Sequence, residues 1–251
     1  MTAAQPQFAL GSGARTPLGW RDPVRRFVGL AVAGVVTMVV AAVALGLPMV
    51  AVAGPAGVLT VALVGCAIGL RRTHPHPRLG TANAITLLRL AIVGLLLSIL
   101  FGGGVSAAII IALSVVALSL DGLDGHLARR QRLTSRFGAA FDMEVDSAFA
   151  LVLSVLAAFG PAGPLVLLLG LPRYLLGVAG LALPWLNGTL PARYSRKVVC
   201  VVQLVVLIVL QLPGLATWFA LTLVVAVAGL LAWSFGIDVV HLFRTRTRSA
   251  G

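Results

Sequence analysis

Five of the seven acidic residues of this 251-residue chain fall between positions 121 and 146. Asp121 and Asp124 are three apart, and Asp142 and Asp146 are four apart. On a helix both spacings place the two side chains on one face. Glu144, two residues from Asp142 and from Asp146, points away from that face and is read as outside the site. Four carboxylates gathered in a low dielectric repel one another and require something positive between them. Hard divalent cations with all-oxygen ligands meet that need, and Mg²⁺ or Mn²⁺ suits a site that also holds phosphate. Two such ions sharing carboxylates would clamp the oxygens of a displacement at phosphorus. Gly125, Ala128 and Gly138 keep the walls of such a site low. Arg129, one turn beyond Asp124 and Gly125, is placed to pair with a phosphate. The plainer alternative, aspartates paired with nearby arginines at a helix end, leaves the interleaved glycines unexplained.

The elements that must position these groups are membrane-spanning helices. Hydrophobic residues make up 59% of the chain and charged residues 10%, against about 45–50% and about 25% in an ordinary soluble domain. Those proportions exclude a water-soluble fold and intrinsic disorder alike. Crossing the hydrocarbon core takes about 20 apolar residues. Eight apolar runs are found, at roughly 27–47, 49–70, 82–101, 105–127, 137–159, 162–184, 198–212 and 214–242. Breakers separate them, among them Leu47-Pro48, Gly102-Gly103-Gly104, the stretch Gly160 to Pro164, and Leu212-Pro213-Gly214. The short polar-apolar alternation of a β-barrel is missing, so the expected fold is an all-α polytopic bundle of about eight spans. Asp121 and Asp124 then close the fourth span and Asp142 and Asp146 open the fifth. Antiparallel packing of these neighbours would bring the four carboxylates together just below one membrane surface.

Charge sets the orientation. The net charge is +12, and eighteen of the nineteen cations are arginine. They lie almost entirely in the N-terminal tail, the C-terminal tail and every second connection, while the intervening turns carry none. Both termini and the carboxylate face are therefore expected in the cytoplasm of a multi-pass cell-membrane protein. The basic segments point to topology and anionic lipid contact rather than to nucleic acid. Two arginines break the pattern: Arg89 in the third run and Arg173 in the sixth. A cation within a span costs a few kcal/mol and normally faces a partner or a wet cavity. Cys66 and Cys200 lie in apolar runs and are expected to be core thiols, with neither a disulfide nor a metal between them. Asp238 and His241 sit where they could pair near the end of the last run.

The pattern D-x-x-D-G-x-x-A-R-x(8)-G-x-x-x-D-x-x-x-D resembles the signature of the CDP-alcohol phosphatidyltransferases. It is matched here at Asp121, Asp124, Gly125, Ala128, Arg129, Gly138, Asp142 and Asp146. The resemblance covers about residues 80–242, six spans, and leaves the first two spans without a family counterpart. It implies transfer of a phosphatidyl or related group from a CDP-linked donor to an alcohol, with release of CMP. By the same resemblance Asp121, Asp124 and Asp142 would hold the metal ions. Asp146, which also reaches the second ion, would take the proton from the acceptor hydroxyl. Asn83, Thr86, Gly125, Arg129 and Ser135 stand at positions that meet the CDP moiety in the family; plain helix capping is the alternative for Asn83 and Thr86.

For the acceptor, Arg173, Arg196 and Lys197 are basic residues in the spans that bind a phosphorylated acceptor in such enzymes. An inside-positive anchor is the alternative for Arg196 and Lys197. Arginine and lysine converging on phosphate favour a phosphorylated polyol, such as glycerol 3-phosphate or inositol phosphate, over a neutral amino alcohol. The expected partners are thus CDP-diacylglycerol, a small alcohol and membrane lipid, and Gly- and Ala-rich spans permit pairing of two copies. The expected organisation is a basic tail at 1–26, two extra helices at 27–70, a cytoplasmic linker at 71–80, the transferase core at 81–242 and a basic tail at 243–251. The competing function, an ion- or proton-coupled transporter, calls for carboxylates near the bilayer centre, spread over several helices.

Overall fold

The structure, a computed structural model, describes residues 23–73, 80–131, 135–188 and 193–248; for 71–73, 123–131, 136, 187 and 246–248 it describes the backbone alone. The described residues form helices without strands, as the apolar runs and the need to satisfy every backbone group in lipid require. The helices are α1 (Pro23–Ala44), α2 (Met49–Thr73), α3 (Thr81–Gly102), α4 (Ala107–Gln131), α5 (Arg136–Ala157), α6 (Leu167–Gly170), α7 (Pro172–Ala182), α8 (Tyr194–Val209) and α9 (Thr217–Arg248). Short 3₁₀ turns at Gly163–Val166 and Pro184–Asn187 flank the α6–α7 segment.

This is a polytopic helical bundle, and the protein is a multi-pass membrane protein. Among the described residues four helices are long and apolar enough to cross a membrane: Pro23–Ala44, Met49–Leu70, Thr81–Gly102 and Thr217–Thr245. A bent pair, Gly163–Gly170 with Pro172–Ala182, makes a fifth if counted as one span. The remaining helices fall short because they carry or border the polar centre. The apolar part of α4 is Ala107–Gly122, α5 has Asp142, Glu144 and Asp146 in its first half, and α8 has 16 residues.

The sixth apolar run is not one rod. It bends by 56° between α6 and α7, where Pro172 cannot donate a backbone bond and its ring crowds the preceding turn. The side chain of Gln203, the polar residue of the seventh run, crosses from α8 and donates to the Leu169 carbonyl at 2.6 Å. Gln211 likewise donates to the Leu153 carbonyl at 3.0 Å. Both amides satisfy carbonyls on other helices where water is excluded.

At the centre of the bundle is α3, packed against α1, α2, α4 and α5. Buried residues fill 56% of its apolar window, against 22–28% in the other three long spans. Gly94 permits the close approach of α1 and α2: a Cβ there would meet Met38 Sδ at 2.9 Å and Leu59 Cδ2 at 3.2 Å. Beyond α3 the chain reverses through Gly103 (φ 64°) and Gly104 (φ 72°), left-handed positions suited to glycine. The two leading helices share one hydrophobic core with the rest. Fully buried Phe27 of α1 meets Phe137 and Phe141 of α5 edge-on, at 6.0 and 5.8 Å between ring centres. Helix α1 thereby braces the start of α5, the segment that carries Asp142 and Asp146.

Candidate active site

Helix α3 contributes a polar face at its first two turns. Asn83, Thr86 and Arg89, spaced by three, are 5%, 2% and 1% exposed. Capping does not account for the first two. The residue before the helix is Gly80, which makes no side-chain cap, and Thr86 donates its hydroxyl to the Ala82 carbonyl at 3.0 Å within the helix. Helix α5 starts at Ser135, whose hydroxyl accepts the Gly138 N–H at 3.0 Å and so caps the helix. Asn83 lies against this turn: a Cβ on Gly138 would be 3.0 Å from Asn83 Oδ1 and 3.2 Å from Ser135 Oγ. The glycine is small because two polar side chains occupy its surroundings.

One turn deeper, Asp121 of α4 and Asp142 and Asp146 of α5 converge. One carboxylate oxygen from each lies within 4.8 Å of the others. The convergence expected from spacing is found for these three, but α4 and α5 reach one another by packing on α3 rather than as a directly packed pair. The side chains of Asp124, Gly125 and Arg129 lie outside the described residues; they belong to the backbone-only end of α4.

The positive partner demanded by the carboxylates is present as a side chain. Arg89 donates to Asp142 at 2.7 Å and to Asp146, and lies 3.0 Å from Asp121. Its part in the cluster is not evident from the motif. The available signal was the cation inside an apolar run, which demands an anionic partner; which anions it meets depends on how α3 is rotated against α4 and α5. The carboxylates nevertheless suit a divalent ion. They are hard oxygen donors of the type Mg²⁺ takes, close enough together to share one, and Arg89 neutralises only one of the three charges.

The basic residues are arranged differently from expectation. Arg173 is not a buried cation seeking an anion. It opens α7 just past the bend, its side chain is 42% exposed, and it pairs with Glu144. That contact also confirms that Glu144 faces away from the aspartates. Asp238, 8% exposed at its side chain, pairs with arginines rather than with His241. It accepts from Arg193 at 3.3 Å and from Arg196 at 3.0 Å, tying the start of α8 to α9. Lys197 is exposed. Cys200, one turn after Arg196, is exposed rather than a core thiol, and Cys66 is partly buried; both are free.

The sequence profile of the CDP-alcohol phosphatidyltransferases matches residues 79–233, from the start of α3 into α9. The chain belongs to this family. It is a CDP-alcohol phosphatidyltransferase by class, an enzyme of phospholipid biosynthesis, which sets aside the transporter alternative. Two proteins of Mycobacterium tuberculosis, from strains CDC 1551 / Oshkosh and ATCC 25618 / H37Rv, are similar to it. Each bears the name "Probable phosphatidylglycerophosphate synthase" and is 38% identical over 169 residues, covering 63% of this chain and 79% of the relative. No solved structure matches the chain. The family match begins after α1 and α2, so these helices are an addition to the region that defines the family.

Proposed function

We propose that this membrane enzyme transfers the phosphatidyl group of CDP-diacylglycerol to glycerol 3-phosphate, forming phosphatidylglycerophosphate and releasing CMP. The convergence of Asp121, Asp142 and Asp146 carries the reaction type. The relatives' name favours this acceptor over inositol phosphate. The basic residues on the α7–α8 side, Arg173, Arg196 and Lys197, support a phosphorylated acceptor in general.

Asp121, Asp124, Asp142 and Asp146 would hold the divalent ions, expected to be two. Bound there, Mg²⁺ or Mn²⁺ neutralises charge on the donor's pyrophosphate and on departing CMP. The chain's own groups supply the rest. Asn83, Thr86 and Ser135 meet the cytidine diphosphate in this reading; Gly125 and Arg129, whose side chains lie outside the described residues, are assigned to it by the family motif alone. Asp146 accepts the proton of the acceptor hydroxyl at a carboxylate oxygen, since an alcohol is a poor nucleophile until that proton leaves. The acceptor oxygen forms a bond to the phosphorus that carries diacylglycerol. The bond from that phosphorus to the CMP oxygen breaks, and its electron pair leaves with CMP. Arg196 and Lys197, and Arg173 on α7, are the residues proposed to take the acceptor phosphate.

The topology belongs to the same proposal: eight crossings, both termini and the site at the cytoplasmic face, and a core of residues 81–242 preceded by the 27–70 pair. Purified protein with labelled CDP-diacylglycerol and Mg²⁺ tests the chemistry. CMP release is expected with glycerol 3-phosphate and not with inositol phosphate or free amino alcohols. Release with inositol phosphate alone would reverse the choice of acceptor, and no release with any alcohol would refute phosphatidyl transfer.

A further inference from the structure

Arg89 is the one charged group of the cluster that the reaction as written does not use. It is 1% exposed, and its guanidinium touches three of the carboxylates read as metal ligands. A guanidinium keeps its proton in proteins, so this charge is permanent. Three carboxylates and one guanidinium sum to −2, where the carboxylates alone would be −3. A dication approaching these oxygens meets a like charge at ion-pair range and competes for lone pairs already engaged. Two effects oppose one another when Arg89 is removed. The carboxylates lose the group that holds them together, which weakens ion binding by about tenfold through the ordering of freed side chains. The ion loses a repelling charge, which strengthens binding by about a hundredfold or more at the effective dielectric of a partly buried site. Charge outweighs order.

We propose that Arg89 is a positioning residue: a built-in counter-cation that keeps the three carboxylates together in the resting enzyme and holds their affinity for divalent ions low. Complete loading then depends on the negative charge that the donor's pyrophosphate brings. Metal and donor bind cooperatively, and the empty site does not retain ions tightly. This rests on the reading that the aspartates hold the ions.

The test is Mn²⁺ binding to the purified full chain in detergent, followed by electron paramagnetic resonance with and without CDP-diacylglycerol. Wild type is expected to bind weakly alone and more tightly with donor. Arg89→Gln is expected to bind at least about tenfold more tightly without donor, with a smaller donor-induced gain. Arg89→Lys keeps the charge and is expected within about threefold of wild type. Unchanged or weaker binding in Arg89→Gln, or equal tightening in Arg89→Lys, overturns the inference. If Arg89→Gln folds only with metal, it is prepared in Mn²⁺ and challenged with chelator; release is expected about tenfold slower than from wild type, and equal or faster release overturns the inference. Asp142→Asn separates the two levels. If it binds Mn²⁺ as wild type does, the ligand reading fails; if it loses binding while the Arg89 variants match wild type, only the role of Arg89 fails.

Discussion

Replacing Gly138 by alanine tests whether the first turn of α5 and the polar face of α3 form one surface for the donor. The added Cβ would stand 3.0 Å from Asn83 Oδ1 and 3.2 Å from Ser135 Oγ, tighter than ordinary van der Waals contact. Asn83 is 5% exposed and has little room to withdraw, so the displacement of a few tenths of an ångström is shared with Ser135. Weakening the Ser135 cap costs about 1 kcal/mol. Alanine is the better helix former by up to about 1 kcal/mol, less in a first turn. The two nearly cancel, and the melting temperature in detergent should move by only a few degrees. Activity should not cancel in this way. A shift of about 1 Å in a positioned group can cost about a hundredfold, so a few tenths should raise the apparent KM for CDP-diacylglycerol by about tenfold while leaving the KM for acceptor alone. The assay is CMP release over a donor titration, alongside a thermal melt. Unchanged donor kinetics with an unchanged melt would refute the placing of Asn83 and Ser135 at the donor.

Asp146→Asn should retain the fold and donor binding yet abolish transfer; turnover at saturating metal would refute its role as base. Arg173→Ala should leave the melt nearly unchanged, because an exposed ion pair contributes about 0–1 kcal/mol, and should raise the KM for a phosphorylated acceptor. A shift confined to the donor KM would place Arg173 elsewhere. Asp238→Ala removes a buried carboxylate from two arginines that are only a quarter to a third exposed. It should destabilise by about 2 kcal/mol, below the range of about 3–5 kcal/mol for a fully buried pair, and raise the acceptor KM by loosening the start of α8. A melt identical to wild type would show that this tie does not hold α8 to α9.

Much of this protein is legible in its sequence because the bilayer makes local composition decisive. Without water to satisfy the backbone, an apolar run becomes a helix, and all eight runs carry helix. The pairs Asp121–Asp124 and Asp142–Asp146 share faces by helical spacing alone, and with the glycines and Arg129 at fixed intervals they identify the family. The third dimension decided what depends on rotation and bending. Arg89 is 32 residues from Asp121 and 57 from Asp146, and only the packing of α3 on α4 and α5 makes it their common partner. Arg173 reads as a buried cation within an apolar run, but the break at Pro172 turns it outward to Glu144. Asp238 reads as a neighbour of His241, yet the α8–α9 contact gives it to Arg193 and Arg196. Spacing fixes which side chains share a helix face; the rotation of one helix against another fixes which charges meet, since Coulomb attraction in a dry bundle selects among distant partners that sequence order does not rank.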